Sequence, residues 1–110
     1  MTAVANDYGY DVVFSRMLAA CGRPGDVLVC LTTSGNSANV LQAAQEAERI
    51  GIDVISLTGS GGGKLAAHST VLLDVPSTET PRIQEGHILL GHTMCGLVES
   101  AMFDRPDPST

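Results

Sequence analysis

The sequence is poor in the residues on which several kinds of binding surface depend. It has no tryptophan and only 4% aromatic residues, which disfavours a surface that stacks nucleic-acid bases. Six lysines and arginines stand against twelve aspartates and glutamates, for a net charge of −6. This balance argues against binding to nucleic acid or to an anionic membrane, because both require a basic face. An anionic ligand would have to be held by backbone N–H groups and hydroxyls.

The sequence also lacks long apolar runs and paired cysteines. No segment reaches the ~20 consecutive apolar residues that a membrane helix needs. Residues 1–7 show neither the basic start nor the apolar block of a signal peptide. Cys21, Cys30 and Cys95 are widely spaced and form no CxxC pair. We therefore predict buried, reduced thiols in a cytoplasmic protein, in place of disulfides or a zinc cluster.

Apolar runs and amphipathic segments alternate along the 110 residues, which suffice for one small domain. Nearly continuous apolar runs predict strands, and apolar positions at helical spacing predict helices. The predicted elements are a helix over 11–20, a strand over 26–32, a helix ending near 50, a strand over 53–58, a short helix over 64–68, a strand over 71–76 and a helix over 80–103. The polar, proline-containing residues 104–110 are expected to be a disordered tail.

This alternation predicts an α/β fold, with a parallel sheet and helices on both of its faces. The run over 26–32 is apolar at almost every position, which is typical of a strand buried between two helix layers. The last helix carries apolar residues along one face, as a packed helix does. They are Ile83, Leu90, Met94, Leu97, Ala101 and Met102.

Residues 32–37 (TTSGNS) lie between the first predicted strand and the next helix. In open α/β sheets, ligands bind beyond the carboxyl ends of the strands. Gly35 permits a tight turn, and the free N–H groups of the helix together with four hydroxyls would suit a phosphate dianion. The hydroxyls belong to Thr32, Thr33, Ser34 and Ser37. The alternative is an ordinary polar turn in which Ser34 or Asn36 caps the helix.

Residues 59–63 (GSGGG) form a second glycine-rich segment, which is predicted to be a flexible loop. Leu65 follows Lys64, so the segment lacks the serine or threonine that a P-loop requires there, and it lacks the dinucleotide spacing as well. We favour the interpretation that Lys64 is solvated over the alternative that its side chain approaches a ligand. A nucleotide-binding half-domain is therefore the weakest of the functions considered.

The last predicted helix places Gln84, Ile88 and His92 on one face, at i, i+4 and i+8. His87 and His92 are about 140° apart around the axis, at ~100° per residue, and make a poor pair of metal ligands. Desolvation of His92 among apolar residues would favour a neutral imidazole able to exchange protons near neutral pH. The alternative is a core histidine whose hydrogen bonds are satisfied. His68 is expected at the surface.

Several co-linear motifs make the chain resemble the sugar isomerase (SIS) domain family, and within it the phosphoheptose isomerase group. The resemblance extends over nearly all of residues 3–103. It rests on residues 5–10 (ANDYGY), 14–16 (FSR), 25–28 (GDVL), 33–37 (TSGNS), 57–59 (LTG), 63–64 (GK), 82–85 (RIQE) and 87–92 (HILLGH). The SGNS loop alone would indicate only a SIS domain, whereas the motifs together indicate the isomerase group.

The resemblance implies a SIS-type, flavodoxin-like fold in which residues 1–103 are the C-terminal part and hold three of the family's five strands. It implies an aldose–ketose isomerase that interconverts sedoheptulose 7-phosphate and D-glycero-D-manno-heptose 7-phosphate through an enediol. The family assembles as a homotetramer. The alternative is a non-catalytic SIS module that binds a sugar phosphate or a protein partner.

The resemblance also assigns roles to individual residues. The phosphate would lie on Thr32, Thr33, Ser34 and Ser37. Thr32 stands where the family usually has serine, and Asp7 would contact the sugar. His92 would be the catalytic histidine, and Gln84 would bind substrate. Together, Gln84 and His92 would supply part of a divalent-metal site, usually zinc.

The family's N-terminal portion has no counterpart in this sequence. That portion carries the family's other catalytic group, a glutamate, and a further metal ligand. In the family's sheet order, 2-1-3-4-5, the strand over 27–32 is internal, so without its neighbour it would be an exposed apolar edge. We therefore expect a fragment, a mis-started reading or one half of a split protein, or else self-association through this edge.

Overall fold

The computed structural model describes residues 12–103 and contains every element that the sequence predicts, with bounds that agree within two residues. The elements are α1 (Val13–Cys21), β1 (Val27–Leu31), α2 (Ala38–Ile50), β2 (Asp53–Thr58), a 3₁₀ helix (Gly63–His68), β3 (Val71–Asp74) and α3 (Thr80–Phe103). Within this part of the chain, no helix is both long enough and apolar enough to cross a membrane. The predicted tail over 104–110 lies outside the described residues.

The three strands form a parallel sheet in the order β1-β2-β3. Leu31 lies opposite Leu57 at the end of β1, and Thr58 lies opposite Asp74 at the end of β3. The carboxyl ends of all three strands therefore reach the same edge of the sheet. Helical segments connect the strands, which confirms the α/β class and positions the loops after β1 and β2 side by side.

The core lies between α2, the 3₁₀ helix and one face of the sheet. It consists of Cys30, Ala44, Ala47, Ile52, Val54 and Leu65. The two alanines have no exposed surface, so α2 packs closely on the strands through small side chains. Gly51 then ends α2 in a left-handed conformation, with φ of 90°, and its N–H donates to the Ala47 carbonyl at 3.0 Å.

The three cysteines lie in different environments. Cys30 is buried in β1, and burial raises the pKa of its thiol to about 11. Cys21 and Cys95 are exposed. The prediction of buried thiols is therefore right for Cys30 and wrong for the other two, because α1 and α3 turn the faces that carry them away from the core.

The two faces of β1 have different surroundings. Leu28 and Cys30 point into the core side, whereas Val27, Val29 and Leu31 are 55%, 42% and 55% exposed. The prediction of a strand buried between two helix layers is therefore wrong for one face. The reason is that α1 and α2 lie on the core side, while α3 lies against β2 and Val75, which follows β3, and leaves this face of β1 largely uncovered.

α3 extends beyond the sheet for most of its length. Ile83 and His87, near its start, are the buried residues of this helix. Leu97 and Met102, on the predicted apolar face, are 66% and 70% exposed. Of the other members of that face, Leu90 and Met94 are half-buried and Ala101 is exposed. The prediction of a packed face is wrong for this outer part of α3, because no described element lies against it.

An apolar cleft of about 490 Å³ runs beside β1, which is one edge of the described sheet. Its lining includes Phe14, Met17, Leu28, Val29 and Val40. Because an edge strand also offers unpaired backbone groups, the cleft and the strand together form a surface suited to pairing with another strand.

We expect the purified chain to self-associate through β1. The substitution Val29→Lys should weaken this association about tenfold or more, because strand pairing would desolvate the added charge. Val71→Lys is the matched control, since Val71 is 46% exposed on β3, at the opposite edge of the described sheet. Sedimentation velocity over a range of concentrations measures the effect. A concentration-independent monomer that unfolds cooperatively, or equal effects of the two lysines, would contradict this prediction.

Candidate functional site

The loop after β1 brings two hydroxyls together at the start of α2. Thr32 is buried and its N–H donates to the Leu57 carbonyl at 3.0 Å, which continues the pairing of β1 with β2. Its Oγ1 lies 3.0 Å from Oγ of Ser37. Ser37 is the N-cap residue of α2, yet its side chain makes no capping hydrogen bond. The hydroxyl is therefore directed to Thr32, away from the backbone N–H groups of the first helical turn.

Ser34 and Asn36 lie one step earlier in the loop. Ser34 Oγ accepts a hydrogen bond from the Asn36 N–H at 3.1 Å, which forms a local turn and leaves both side chains exposed. The alternative in which Ser34 or Asn36 caps α2 is wrong, because Ser37 occupies the N-cap position. The hydroxyls of the loop thus lie at a helix start where the N-cap side chain makes no capping bond, although the Val40 N–H donates to Asn39 Oδ1 at 2.9 Å.

The glycine-rich segment after β2 is bonded to this loop. The Lys64 N–H donates to Asn36 Oδ1 at 2.9 Å, and the Leu65 N–H donates to the Gly35 carbonyl at 2.9 Å. Gly35 has φ of +71°, and a Cβ built there would lie 2.0 Å from the Gly62 carbonyl oxygen. The segment predicted to be flexible is therefore held against the TTSGNS loop by backbone contacts that leave no room for a side chain, while Lys64 itself is exposed as expected.

Two clefts open at the carboxyl ends of the strands. The first, the sheet–helix cleft, measures about 410 Å³ and is lined by Leu31, Thr32, Thr33, Gln84, His87 and Ile88. The second, the hydroxyl pocket, measures about 250 Å³ and is lined by Thr33, Ser34, Ser60, Ser77, Thr78, Thr80 and Ile83. Thr33 lines both clefts, so they adjoin each other across the loop after β1.

Most of the predicted site residues lie at these clefts. Thr32, Thr33 and Gln84 line the sheet–helix cleft, Ser34 lines the hydroxyl pocket, and Ser37 contacts Thr32. His92 is exposed and lines neither cleft, so its predicted enclosure by apolar residues is wrong for the described part of the chain. Asp7 lies outside the described residues.

The buried histidine of α3 is His87. It is 6% exposed, and its Nε2 lies 2.9 Å from the Thr58 carbonyl oxygen. Because a carbonyl can only accept, Nε2 carries the proton, and the bond ties α3 to the end of β2. The spacing of His87 four residues after Ile83 places the two on one helix face, which was the available sequence signal for this role.

Comparison with known proteins identifies the family to which the chain belongs. A family model described as SIS domain matches residues 1–59, more than half of the chain. The chain belongs to the SIS domain family. This confirms the family resemblance that the motifs indicate.

Phosphoheptose isomerases are among the similar proteins. That of Rhodospirillum rubrum is 60% identical over 102 residues, covering 93% of this chain and 54% of the relative. The structure of phosphoheptose isomerase GmhA from Neisseria gonorrhoeae matches with a TM-score of 0.85 and 55% identity, covering 88% of this chain and 55% of that chain. One from Francisella tularensis matches with a TM-score of 0.86 and 40% identity, covering 90% and 53%. The chain spans about half the length of the relatives it matches.

The described part of this SIS domain does not complete a metal site. It contains no group of three or more histidine, cysteine, aspartate or glutamate side chains arranged to hold an ion. Gln84 and His92 are both exposed, and eight residues of helix separate them by about 12 Å along the axis. Two donors at this separation fall short of the four ligands, mostly histidine, cysteine or carboxylate, that zinc takes in proteins.

Several residues that line the hydroxyl pocket were not predicted from the sequence. Ser60, Ser77 and Thr78 line the hydroxyl pocket, as does Thr80, which had been considered only as a helix start. The available signal was the three hydroxyl residues among 77–80 (STET), at the point where α3 begins. The position of these hydroxyls beside the TTSGNS loop depends on how β3 pairs with β2, and no local sequence pattern reveals that pairing.

We expect Gly35→Ala to lower the free energy of unfolding by about 3 kcal/mol or more, because it combines an unfavourable φ with a clash against Gly62. Gly51→Ala is the control, since Gly51 also has positive φ but its Cβ would meet nothing within 4 Å. That change should cost only about 1 kcal/mol. Urea unfolding of both variants provides the measurement, and equal losses would show that the contact between the two loops is not tight.

Proposed function

We propose that the chain is part of a phosphoheptose isomerase, which interconverts sedoheptulose 7-phosphate and D-glycero-D-manno-heptose 7-phosphate. The observation that carries the proposal is the hydroxyl-lined loop at the end of β1, which adjoins a cleft that also contains Gln84. The relatives named phosphoheptose isomerase, up to 60% identical to this chain, support it. Residues 1–103 would form the C-terminal part of the complete SIS domain, followed by a tail over 104–110.

The loop after β1 would hold the phosphate. Thr32, Thr33, Ser34 and Ser37 supply hydroxyls around the start of α2. The first backbone N–H groups of a helix and its partial positive charge favour a bound anion. Such a site needs no cationic side chain, which is consistent with a sequence that carries a net charge of −6.

The isomerisation requires a base that removes the proton next to the carbonyl and a group that exchanges protons with the sugar oxygens. His92 would fill one of these roles, and Gln84 and Asp7 would contact the sugar. The second group, a glutamate in the family, would come from the part of the relatives that this chain does not span. Because His92 is exposed on α3, the complete site would require that part to lie against this helix.

Three further properties belong to the same proposal. Gln84 and His92 would donate two ligands to a divalent metal, zinc, with the remaining ligands from outside residues 12–103. The exposed outer part of α3 is compatible with a homotetramer, in which apolar residues such as Leu97 and Phe103 would be covered. The three free cysteines are compatible with a cytoplasmic location, where thiols stay reduced.

The second candidate function is a non-catalytic SIS module that binds a sugar phosphate or a protein partner. The position of His92 outside both clefts favours it, as does the absence of a cluster of three metal-binding side chains in the described part of the chain. The two candidates share the phosphate loop and differ in whether turnover occurs.

We expect Ser34→Ala combined with Ser37→Ala to weaken binding of sedoheptulose 7-phosphate by tenfold or more, because hydrogen bonds to a charged group are worth about 1.5–3 kcal/mol each. Isothermal titration calorimetry measures the affinity. Ser100→Ala, on the exposed outer part of α3, is the control and should bind as the unaltered chain does. Unchanged affinity in the double variant would refute the phosphate loop.

A pair of histidine variants tests the catalytic assignment. The test protein is a chimera in which this chain is joined to the part of the Rhodospirillum rubrum relative that the chain does not span. In this chimera, His92→Gln should abolish turnover and largely retain both the affinity for the sugar phosphate and the stability. His87→Gln should instead lower the free energy of unfolding by about 1–3 kcal/mol, because it disturbs a buried hydrogen bond to Thr58. Turnover assays and urea unfolding separate the two effects. Retained turnover in His92→Gln would refute the catalytic role of His92, whereas a chimera that shows no turnover even with His92 present would favour the non-catalytic module.

A further inference from the structure

The imidazole of His87 is buried but uses only one of its two nitrogens for a hydrogen bond within the described part of the chain. The residue is 6% exposed, and its Nε2 donates to the Thr58 carbonyl oxygen at 2.9 Å. Because Nε2 carries the proton, the other ring nitrogen, Nδ1, is an acceptor in the neutral imidazole. No described residue donates a hydrogen bond to Nδ1. An unpaired acceptor is rare in a side chain that is more than nine-tenths buried, and it points to a partner that the described residues do not supply.

The unpaired nitrogen of His87 borders the sheet–helix cleft. Among residues 12–103, every side-chain nitrogen or oxygen that is sealed from solvent has a hydrogen-bond partner. Nδ1 has no such partner, so it must belong to the small part of the ring that keeps accessible surface. His87 lines the sheet–helix cleft, and this accessible part of the ring therefore faces into that cleft.

The part of α3 that carries His87 is packed tightly on the sheet. A Cβ built at Gly59, after β2, would lie 2.6 Å from Ile83 Cδ1. A Cβ built at Gly86 would lie 2.6 Å from Val75 Cγ2. This packing and the hydrogen bond of Nε2 leave the imidazole little freedom to turn. Nδ1 is therefore a preorganised acceptor, and preorganisation lowers the entropic cost of binding a ligand.

The rest of the cleft lining indicates which kind of group Nδ1 receives. This lining has aliphatic side chains, two hydroxyls, one amide and no charged residue: Leu31, Thr32, Thr33, Gln84 and Ile88. A divalent metal would find one histidine there and no thiolate or carboxylate, which falls short of a zinc site. A neutral hydroxyl is the donor that suits this lining. Gln84 lies three residues before His87, so its amide neighbours Nδ1 on the helix surface and can bind a second hydroxyl of the same molecule.

We propose that His87 is a sugar-binding residue whose Nδ1 accepts a hydrogen bond from a hydroxyl of the sugar phosphate. Thr32 and Thr33 belong both to the loop after β1 and to the lining of the sheet–helix cleft, so a sugar attached to a phosphate on that loop can enter the cleft. The inference rests on the proposed function, because it concerns the same ligand. It gives the histidine a second role, in addition to the bond that ties α3 to β2.

Nitrogen-15 NMR of the histidine side chains tests the proposal on the unaltered chain. The resonance of an imidazole nitrogen reports whether that nitrogen carries a proton and, when it does not, whether it accepts a hydrogen bond. We expect the Nδ1 resonance of His87 to move toward that of a hydrogen-bonded nitrogen when sedoheptulose 7-phosphate is added. Inorganic phosphate, which has no sugar, should leave it in place. An unmoved Nδ1 resonance, with calorimetry showing that the sugar phosphate is bound, would overturn the proposal.

Two substitutions of the same residue separate ligand binding from structural support. His87→Gln keeps a side chain long enough to reach Thr58 but has no acceptor at the position of Nδ1, whereas His87→Asn places its oxygen near that position and is too short to reach Thr58. We expect His87→Gln to weaken binding of sedoheptulose 7-phosphate about three- to tenfold. His87→Asn should weaken it less, although it should be the less stable of the two in urea. Both variants should bind inorganic phosphate as the unaltered chain does.

The matched control is His68→Gln, in the 3₁₀ helix and outside both clefts. It makes the same chemical change and should leave both affinities unchanged. If its effect on sedoheptulose 7-phosphate equals that of His87→Gln, the loss at His87 is not specific to the cleft and the proposal is wrong.

The outcomes separate this inference from the proposed function. Losses of affinity that follow the losses of stability in the two His87 variants would show a purely structural role and overturn the inference. If Ser34→Ala with Ser37→Ala weakens binding while His87→Gln does not, the phosphate loop stands and the role of His87 is refuted. A chain that binds neither ligand would overturn both proposals. The NMR titration decides the matter if either His87 variant fails to fold.

Discussion

The contact between Gly35 and the glycine-rich loop is the constraint on which the edge at the carboxyl ends of the strands depends. It joins the segments that follow β1 and β2 through the Gly35 carbonyl, the Asn36 side chain and the amides of Lys64 and Leu65. Leu65 is at the same time a fully buried core residue. The loop that presents the hydroxyls is therefore anchored directly to the core, and its geometry follows from the packing of α2 on the sheet.

The two ends of α3 have different relations to the rest of the molecule. Near its start, Ile83 packs against Gly59, and His87 bonds to the Thr58 carbonyl, so Gln84 is held beside the end of β1. Beyond that point the helix leaves the sheet, and residues such as Leu97 and Phe103 are exposed. One helix thus combines a segment that is fixed against the sheet with an apolar segment that is suited to contact with another protein surface.

The elements were predictable from sequence because each depends on local signals, such as the unbroken apolar run of β1 or the glycine that ends α2. The TTSGNS loop was also predictable, since its hydroxyls and Gly35 stand together in the chain. What could not be predicted depends on partners distant in sequence: the exposed face of β1, the exposure of His92, and the hydroxyls at 77–80 that the sheet register brings beside Thr33. Helical periodicity shows that a face is apolar but not what covers it.

The hydrogen bond that the Ser37 side chain makes with Thr32 affects the stability of α2. By bonding to Thr32, this side chain leaves α2 without a side-chain cap, and such a cap is typically worth about 1 kcal/mol. At this helix start the Val40 N–H donates to Asn39 Oδ1 at 2.9 Å, whereas the N–H groups of Ala38 and Asn39 have no partner among the described residues. An anion bound at the loop would satisfy these two donors, so its binding would restore part of the stability that the missing cap forgoes.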